Sequence, residues 1–222
     1  MRTSAKLALT ALAASLLLAA MVSTATATRL STSNQTIRAT WDSLEFTFWI
    51  TVRCKVTLEG SFHGRTIAKV ARSLIGAITN AQVKAESCTN GTASAFNGVE
   101  RYNGTTTPNT LPWHLTYESF TGTLPNINSI RVLLQRFRLG FEAVGCAIQV
   151  GASTDNLSAD ATLESSRIIE LTPTLGRNRG TIIRTDRDPI GTCPLPGTRG
   201  SIEHSGRVML LGNTTRISIT LI

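Results

Sequence analysis

The sequence predicts an all-β protein, a two-sheet antiparallel sandwich or flattened barrel with one short helix and two disulfides. Apolar residues occupy every second position from Leu44 to Leu58, which is the periodicity of a strand with one buried face. Similar alternating segments recur along the chain, and residues that favour turns (Gly, Pro, Asn and Asp) separate them. Four cysteines, an even number, are typical of a disulfide-stabilised domain outside the cytosol.

Residues 1–27 have the features of a secretory signal peptide. Arg2 and Lys6 form a charged start, Leu7–Val22 is an uncharged apolar run, and Ala25-Thr26-Ala27 fits a cleavage site. An uncleaved membrane anchor is disfavoured, because a spanning helix needs about 20 predominantly apolar residues and this run is short. We therefore predict cleavage near Ala27, a secreted, extracellular location and one β-rich domain over residues 28–222, with no transmembrane segment in the mature chain.

The first strands of this domain are expected between Ile37 and Gly60. A short alternating segment, Ile37–Trp41, is followed by Asp42-Ser43 and then by one long strand, Leu44–Gly60. Trp49 is the exception on the polar side of that strand. It is either a ligand-binding aromatic, with carbohydrate as the first ligand to test, or a side chain partly covered by a helix or loop. We favour the covered interpretation and keep Trp49 as a weak binding candidate.

The next segment has the spacing of a helix rather than a strand. Apolar residues recur at intervals of three and four, while Arg65, Lys69 and Arg72 share the opposite side. We predict a short amphipathic helix at Arg65–Leu74 that ends near Gly76 and packs on the sheet, although a basic amphipathic helix can also lie on a membrane surface. The apolar residues with helical spacing are Ile67, Val70, Ala71, Leu74, Ile75 and Ile78.

The remainder of the chain alternates again, with two long loops expected at Thr89–Thr110 and Thr174–Arg199 because both are rich in turn residues. The last two strands are expected to form a hairpin around Gly212–Thr215. The other alternating segments are Trp113–Tyr117, Ile130–Leu134, Phe137–Ala143 after a one-residue slip that suggests a bulge, Ala159–Leu163, Arg167–Leu171, Val208–Leu211 and Arg216–Leu221.

The cysteines are predicted to form two disulfides. Cys54, Cys88, Cys146 and Cys193 allow three pairings, and we favour Cys54–Cys88 with Cys146–Cys193 because each closes a local loop. Metal ligation is the alternative, but the sequence has neither a C-x-x-C pair nor a cluster of cysteine with histidine. No metal or other cofactor is therefore expected.

The chain is basic, with a net charge of +8, so an exported form would be attracted to anionic surfaces. Arg177 and Arg179 begin an arginine-rich stretch that could hold phosphate or carboxylate, since the guanidinium group pairs bidentately with both. Asp186 and Asp188 neutralise part of this charge, and an ordinary solvated loop is the favoured interpretation. Nucleic-acid binding is not expected, because no aromatic residues for base stacking are interleaved with these arginines.

No catalytic motif stands out. The side chains of Glu203, His204 and Ser205 cannot form a catalytic triad with one another, because adjacent residues of a strand point to opposite faces. His114 and Glu118 share a face but would be ~13 Å apart along a strand, so one metal ion could not bind both. The histidines are therefore interpreted as surface or capping residues, although a site assembled from distant loops remains open.

The function predicted from these features is that of a secreted, non-enzymatic extracellular or cell-envelope protein with a binding or structural role. The expected partner is a cell-wall or extracellular polysaccharide or another anionic surface, with Trp49, Arg177 and Arg179 as weak ligand-binding candidates. Two alternatives are kept: a secreted hydrolase that uses His114 or His204, and a β-barrel that holds a small apolar ligand.

Three segments carry a resemblance to other proteins. TIAKVARSLIG, LPWHLTYESFTGTLPNI and GNTTRISITLI resemble segments of secreted proteins from high-GC Gram-positive bacteria that have no assigned function. The resemblance implies a bacterial, exported, one-domain protein, and it implies no activity or site residue.

Overall fold

The computed structural model describes residues 29–95, 100–102, 105–107, 110–123, 126–151, 157–173, 180–188, 191–210 and 215–221. These residues form an all-β fold, as the alternating sequence predicts, and they contain no helix. The predicted signal peptide lies outside the described residues. The eighteen strands are β1 (Arg29–Thr32), β2 (Thr36–Thr47), β3 (Thr51–Phe62), β4 (Thr66–Ala68), β5 (Leu74–Thr89), β6 (Thr92–Ala95), β7 (Glu100–Tyr102), β8 (Thr105–Thr107), β9 (Trp113–Thr123), β10 (Asn126–Gln135), β11 (Arg138–Ala143), β12 (Cys146–Gly151), β13 (Leu157–Glu164), β14 (Arg167–Pro173), β15 (Gly180–Arg187), β16 (Arg199–Glu203), β17 (Arg207–Leu210) and β18 (Ile219–Leu221).

One antiparallel sheet dominates the fold. Twelve of its thirteen strands run in the order β14-β13-β10-β9-β5-β3-β2-β16-β15-β12-β11-β6, and the thirteenth, β17, pairs with the first half of β2. A second sheet has three strands in the order β18-β1-β4, and β7 pairs with β8 in a small third sheet. β2 thus has two neighbours on its outer edge, since β16 pairs with its last residues and β17 with its first.

The long strand predicted at Leu44–Gly60 is in fact a hairpin. β2 ends at Thr47, residues 48–50 form the turn, and β3 begins at Thr51, its register partner. The alternation continues through the turn because partners near it, such as Phe46 and Val52, are both even-numbered. An unbroken period of two is therefore produced by a hairpin as well as by one strand.

The predicted helix at Arg65–Leu74 is wrong. Residues 66–68 form β4, a loop follows, and β5 begins at Leu74. Val70 is 63% exposed and Leu74 is 48% exposed, so these two residues do not form the apolar stripe that helical packing requires. The branched residues Ile67, Ile75 and Ile78 are buried in strands instead, where such side chains pack well.

Three further expectations are corrected by the strand pairing. The segment Thr89–Thr110 contains β6, β7 and β8, and the segment Thr174–Arg199 contains β15, so neither is one long loop. β17 and β18 do not form a hairpin, because β17 pairs with β2 and β18 pairs with β1. Phe137 follows a turn at Arg136, whose φ is 64°, rather than a bulge within one strand.

The large sheet is curled, so that its edge strand β14 returns to the segment before β17. Leu171 and Gly206 exchange two backbone hydrogen bonds of 2.8 Å, and Arg167 bridges Ser218 near the C-terminus. The inward-facing side chains form one continuous apolar core, in which Trp113, Phe46 and Ile202 are almost completely buried.

Both favoured disulfides are confirmed. Cys54 on β3 is joined to Cys88 at the end of β5, and Cys146 on β12 is joined to Cys193 in the segment after β15. The first bond lies at an irregular point of the sheet, where residues 85–88 of β5 have no register partner on β3. No helix among the described residues is long and apolar enough to cross a membrane.

Candidate functional site

An apolar cavity of about 110 Å³ lies inside the curled sheet. Its wall is built from side chains of β2, β3, β5, β9, β10, β13 and β14, with single contributions from β4, β11, β16, β17 and β18 and from Phe137 before β11. Apolar atoms alone form this wall. Water is a poor occupant of such a space, since it needs two to four polar partners. The cavity is therefore suited to an apolar molecule.

Small side chains explain why the interior is not filled. Four alanines line the cavity, and two of them, Ala159 and Ala161, are on β13. They face the larger Val132 and Ile130 of β10 in the strand register. β13 therefore contributes little side-chain volume to a space that larger residues would fill, which leaves the opening beside it. The other two alanines are Ala39 on β2 and Ala81 on β5.

The cavity wall closes along a narrow seam, which we define as Leu171, Gly206 and Trp41. Leu171 and Gly206 form the backbone bridge, while the Trp41 indole packs directly against Gly206. Trp41 and Leu171 also line the cavity. The indole Nε1 of Trp41 has no hydrogen-bond partner among the described residues, although the side chain is only 3% exposed. Because only Leu171 and Gly206 exchange backbone hydrogen bonds within it, the seam has fewer of them than the full strand ladders elsewhere in the sheet.

A polar cluster on the outside of β2 contains one of the histidines considered for catalysis. Glu45 Oε2 lies 3.1 Å from His204 Nε2 and accepts a hydrogen bond of 2.8 Å from Arg53 Nε. Burial would raise the pKa of Glu45, but hydrogen bonds from His204, Arg53 and Thr47 outweigh it and lower that pKa. Glu45 is therefore an ionised acceptor shared by several donors.

This cluster lacks the arrangement of a nucleophile and its base. Among the described residues no hydroxyl is hydrogen-bonded to His204, and the neighbouring Ser205 pairs with Thr172 at 3.2 Å. His114 lies on β9 opposite Gln135, and its imidazole has no hydrogen-bond partner in the described part of the chain. Activation of a serine requires direct contact with a base, so the geometry gives the hydrolase alternative no support.

Trp49 lies in the turn between β2 and β3 rather than on the face of a strand. Its side chain is partly buried and packs against the core, and the same is true of its neighbours Phe48 and Ile50. The Phe48 ring lies 6.2 Å from that of Phe141, which ties this turn to β11. The predicted cover is present, but it comes from packing of the turn itself and not from a helix.

The other two binding candidates are not part of this picture. Arg177 and Arg179 lie outside the described residues, just before β15 begins at Gly180. Within the described ranges, no group of three or more His, Cys, Asp or Glu side chains is placed to hold a metal ion.

Sequence reasoning raised a cavity only as an unlocated alternative. Its signal was present in Ala159 and Ala161, two small residues at alternate positions of a strand whose inward neighbours are branched. That signal becomes readable only when the partners of β13 are known, because alanine alone does not distinguish a cavity from close strand packing.

The chain matches no known protein-family model, and no curated protein or solved structure is detectably similar to it.

Proposed function

We propose that this protein is a secreted, non-enzymatic binding protein that holds a small apolar molecule inside a flattened β-barrel. The observation that carries the proposal is the interior cavity with a wholly apolar wall. Barrels of about eight strands have interiors that either fill with side chains or hold one small ligand. Here the alanines of β13 favour the second case.

An extracellular location is part of this proposal. Two disulfides support it, because such bonds persist in oxidising compartments and are rare in the cytosol. The charged start, apolar run and small-residue site of residues 1–27 support it independently. A cell-envelope or extracellular setting would also expose the protein to sparingly soluble apolar molecules.

The cavity limits the chemical class of the ligand. A volume of about 110 Å³ suits a molecule with a handful of carbon atoms; a cavity of roughly 150 Å³ in another protein binds benzene or xenon. No polar atom in the wall offers a hydrogen bond, so a ligand with a buried hydroxyl or carboxylate would lose its hydration without compensation. We therefore infer a hydrocarbon-like ligand.

Two other functions have weaker geometric support. Polysaccharide binding at Trp49 would need an exposed aromatic face, whereas this side chain is partly buried in a turn. A hydrolase would need a nucleophile beside His204, whose observed partner is Glu45. Neither Trp49 nor His204 lines the interior cavity.

Benzene binding tests the proposal. Wild-type protein is titrated with benzene and followed by amide chemical shifts, beside variants Ala161→Val and Ala161→Leu, which add two and three carbon atoms, respectively, to the cavity wall. We expect saturable binding by the wild type and a stepwise loss in the variants, by about tenfold or more for leucine, since 1.4 kcal/mol of lost apolar contact is a factor of ten.

The matched control is Ala85→Leu, an exposed alanine of β5, which should bind benzene like the wild type. If Ala161→Leu proves unstable, the milder Ala161→Val decides. The proposal is rejected if wild-type protein shows no saturable shifts, or if both Ala161 variants bind benzene as well as the control does.

A further inference from the structure

A polar groove is lined by residues whose chain neighbours, Ile168 and Ile219, line the apolar cavity. It is an open space of about 560 Å³. We call it the arginine groove and define it by its five lining residues. They are Ser33, Arg167, Thr215, Arg216 and Ser218.

Strand register places the arginines of this groove on one face. Arg167 is the bridge partner of Ser218, so these two side chains project to the same side. Arg216 lies two residues before Ser218, and the alternating burial of residues 216–219 places it on that side. Between them Ile217 is 1% exposed, and Ile168 next to Arg167 is 4% exposed. The apolar neighbours therefore face the core while both guanidinium groups remain outside.

Backbone hydrogen bonds hold the floor of the groove. Ser33 donates its N–H to the Ser218 carbonyl at 2.9 Å, and Ser218 N–H donates to Ser33 Oγ at 3.0 Å. On the other side, Ile168 N–H donates to the Ile217 carbonyl at 2.9 Å. Three distant parts of the chain are thereby fixed side by side, so the backbone of each arginine has a defined position before any ligand binds.

The arginines of the groove differ from three other arginines of the large sheet. Arg38, Arg53 and Arg131 each contact a carboxylate at 2.7 Å. Arg167 and Arg216 have no ion pair among the described residues, and Glu164, the register partner of Arg167, does not form one with it. Two positive charges beside three hydroxyl groups thus form no ion pair with the described part of the chain.

We propose that the arginine groove binds a phosphate group. Arginine is suited to phosphate because its planar guanidinium donates two parallel hydrogen bonds to adjacent oxygens, and serine and threonine hydroxyls supply further donors. This site is separate from the cavity and does not depend on the function proposed for it. The phosphate is either a free anion or the headgroup of an anionic lipid.

Titration with inorganic phosphate at constant ionic strength tests the site. Amide shifts of residues 33, 167 and 215–218 are expected to saturate, and Arg167→Gln and Arg216→Gln are each expected to weaken binding by about tenfold, since hydrogen bonds to charged groups are among the stronger ones. The control, Arg199→Gln, removes the same charge from β16. This strand pairs with the last residues of β2, whereas Ser33 of the groove precedes the first residue of β2.

Vesicles distinguish the two sources of phosphate. Binding to phosphatidylglycerol vesicles that is lost in Arg167→Gln and Arg216→Gln identifies the lipid headgroup, and saturable binding of free phosphate without vesicle binding identifies the soluble anion. The proposal is overturned if the wild type shows no saturable response to either probe, or if Arg199→Gln reduces binding as much as the two groove variants do.

Discussion

Glu59 shows how the outer face of the sheet is organised residue by residue. Its carboxylate accepts hydrogen bonds from Arg38 Nε on β2 at 2.8 Å and from Asn80 Nδ2 on β5 at 3.1 Å. The hydrogen bond from Asn80 lowers the pKa of Glu59 most, and Arg38 adds to it against the opposing effect of burial. One side chain on β3 thus links both neighbouring strands.

This pKa change predicts a dependence of stability on pH. The folded pKa of Glu59 is lowered from its ordinary value of 4.5. The ionised carboxylate therefore contributes to the free energy of unfolding above pH 4.5, and this contribution is lost as the pH falls through the folded pKa. We expect Glu59→Gln to lower the free energy of unfolding by about 0.5–1 kcal/mol at pH 7 and by much less near pH 2.

Urea denaturation at the two pH values measures this difference. Glu170→Gln, which changes a glutamate of β14 that lies opposite Thr162 and has no ion pair among the described residues, is the control and should have little effect at either pH. An equal destabilisation by Glu59→Gln at pH 7 and pH 2 would show that the ionised carboxylate is not the cause.

At the scale of elements, the turn at residues 48–50 explains why alternation could not locate the first hairpin. Leu44 and Cys54 face each other, as do Phe46 and Val52, so both strands keep their even-numbered residues inside. The sequence does show where this even-numbered pattern begins. The register shifts between Trp41 and Leu44, where Asp42-Ser43 interrupts the pattern. Odd-numbered residues of β2 are buried before this point, and even-numbered residues are buried after it.

The failed helix has a different cause. The apolar residues between Ile67 and Ile78 have helical spacing, but some lie on β4 and β5 and the others, Val70 and Ala71, lie in the intervening loop, where Arg72 has a φ of 66°. Pairing of β5 with both β3 and β9 supplies backbone hydrogen bonds that a short exposed helix could not match. Tertiary pairing therefore outweighs local periodicity here, and one sequence does not reveal it.

The seam between β14 and β17 is the element that we expect to be most sensitive to a small change. A Cβ added at Gly206 would lie 2.5 Å from Trp41 Nε1, and Trp41 is buried. We expect Gly206→Ala to destabilise the protein by about 1–3 kcal/mol through overpacking, and to speed amide hydrogen exchange at Leu171, whose N–H donates to the Gly206 carbonyl.

Gly64→Ala is the matched control, because an added Cβ there meets nothing closer than 3.9 Å. Denaturation and hydrogen exchange of the two variants should separate cleanly. Equal stability of Gly206→Ala and Gly64→Ala would mean that the seam can move apart without cost.

For the whole molecule, the sequence was sufficient for class and covalent framework. Alternation predicted an all-β fold, and the cysteine spacing favoured the two disulfides that join β3 to β5 and β12 to the segment after β15. The cavity could not be predicted, because it depends on which strands stand opposite the alanines of β13. Long-range pairing of this kind is not written in local periodicity.

A crystal structure under xenon pressure is the most direct test of the central claim. Xenon enters dry apolar cavities and is seen by its electron density. We expect xenon inside the curled sheet beside Ala161 and Trp113, and its absence from the same place in Ala161→Leu. An interior filled by side chains, with xenon bound only at the surface of the wild-type protein, would contradict the account.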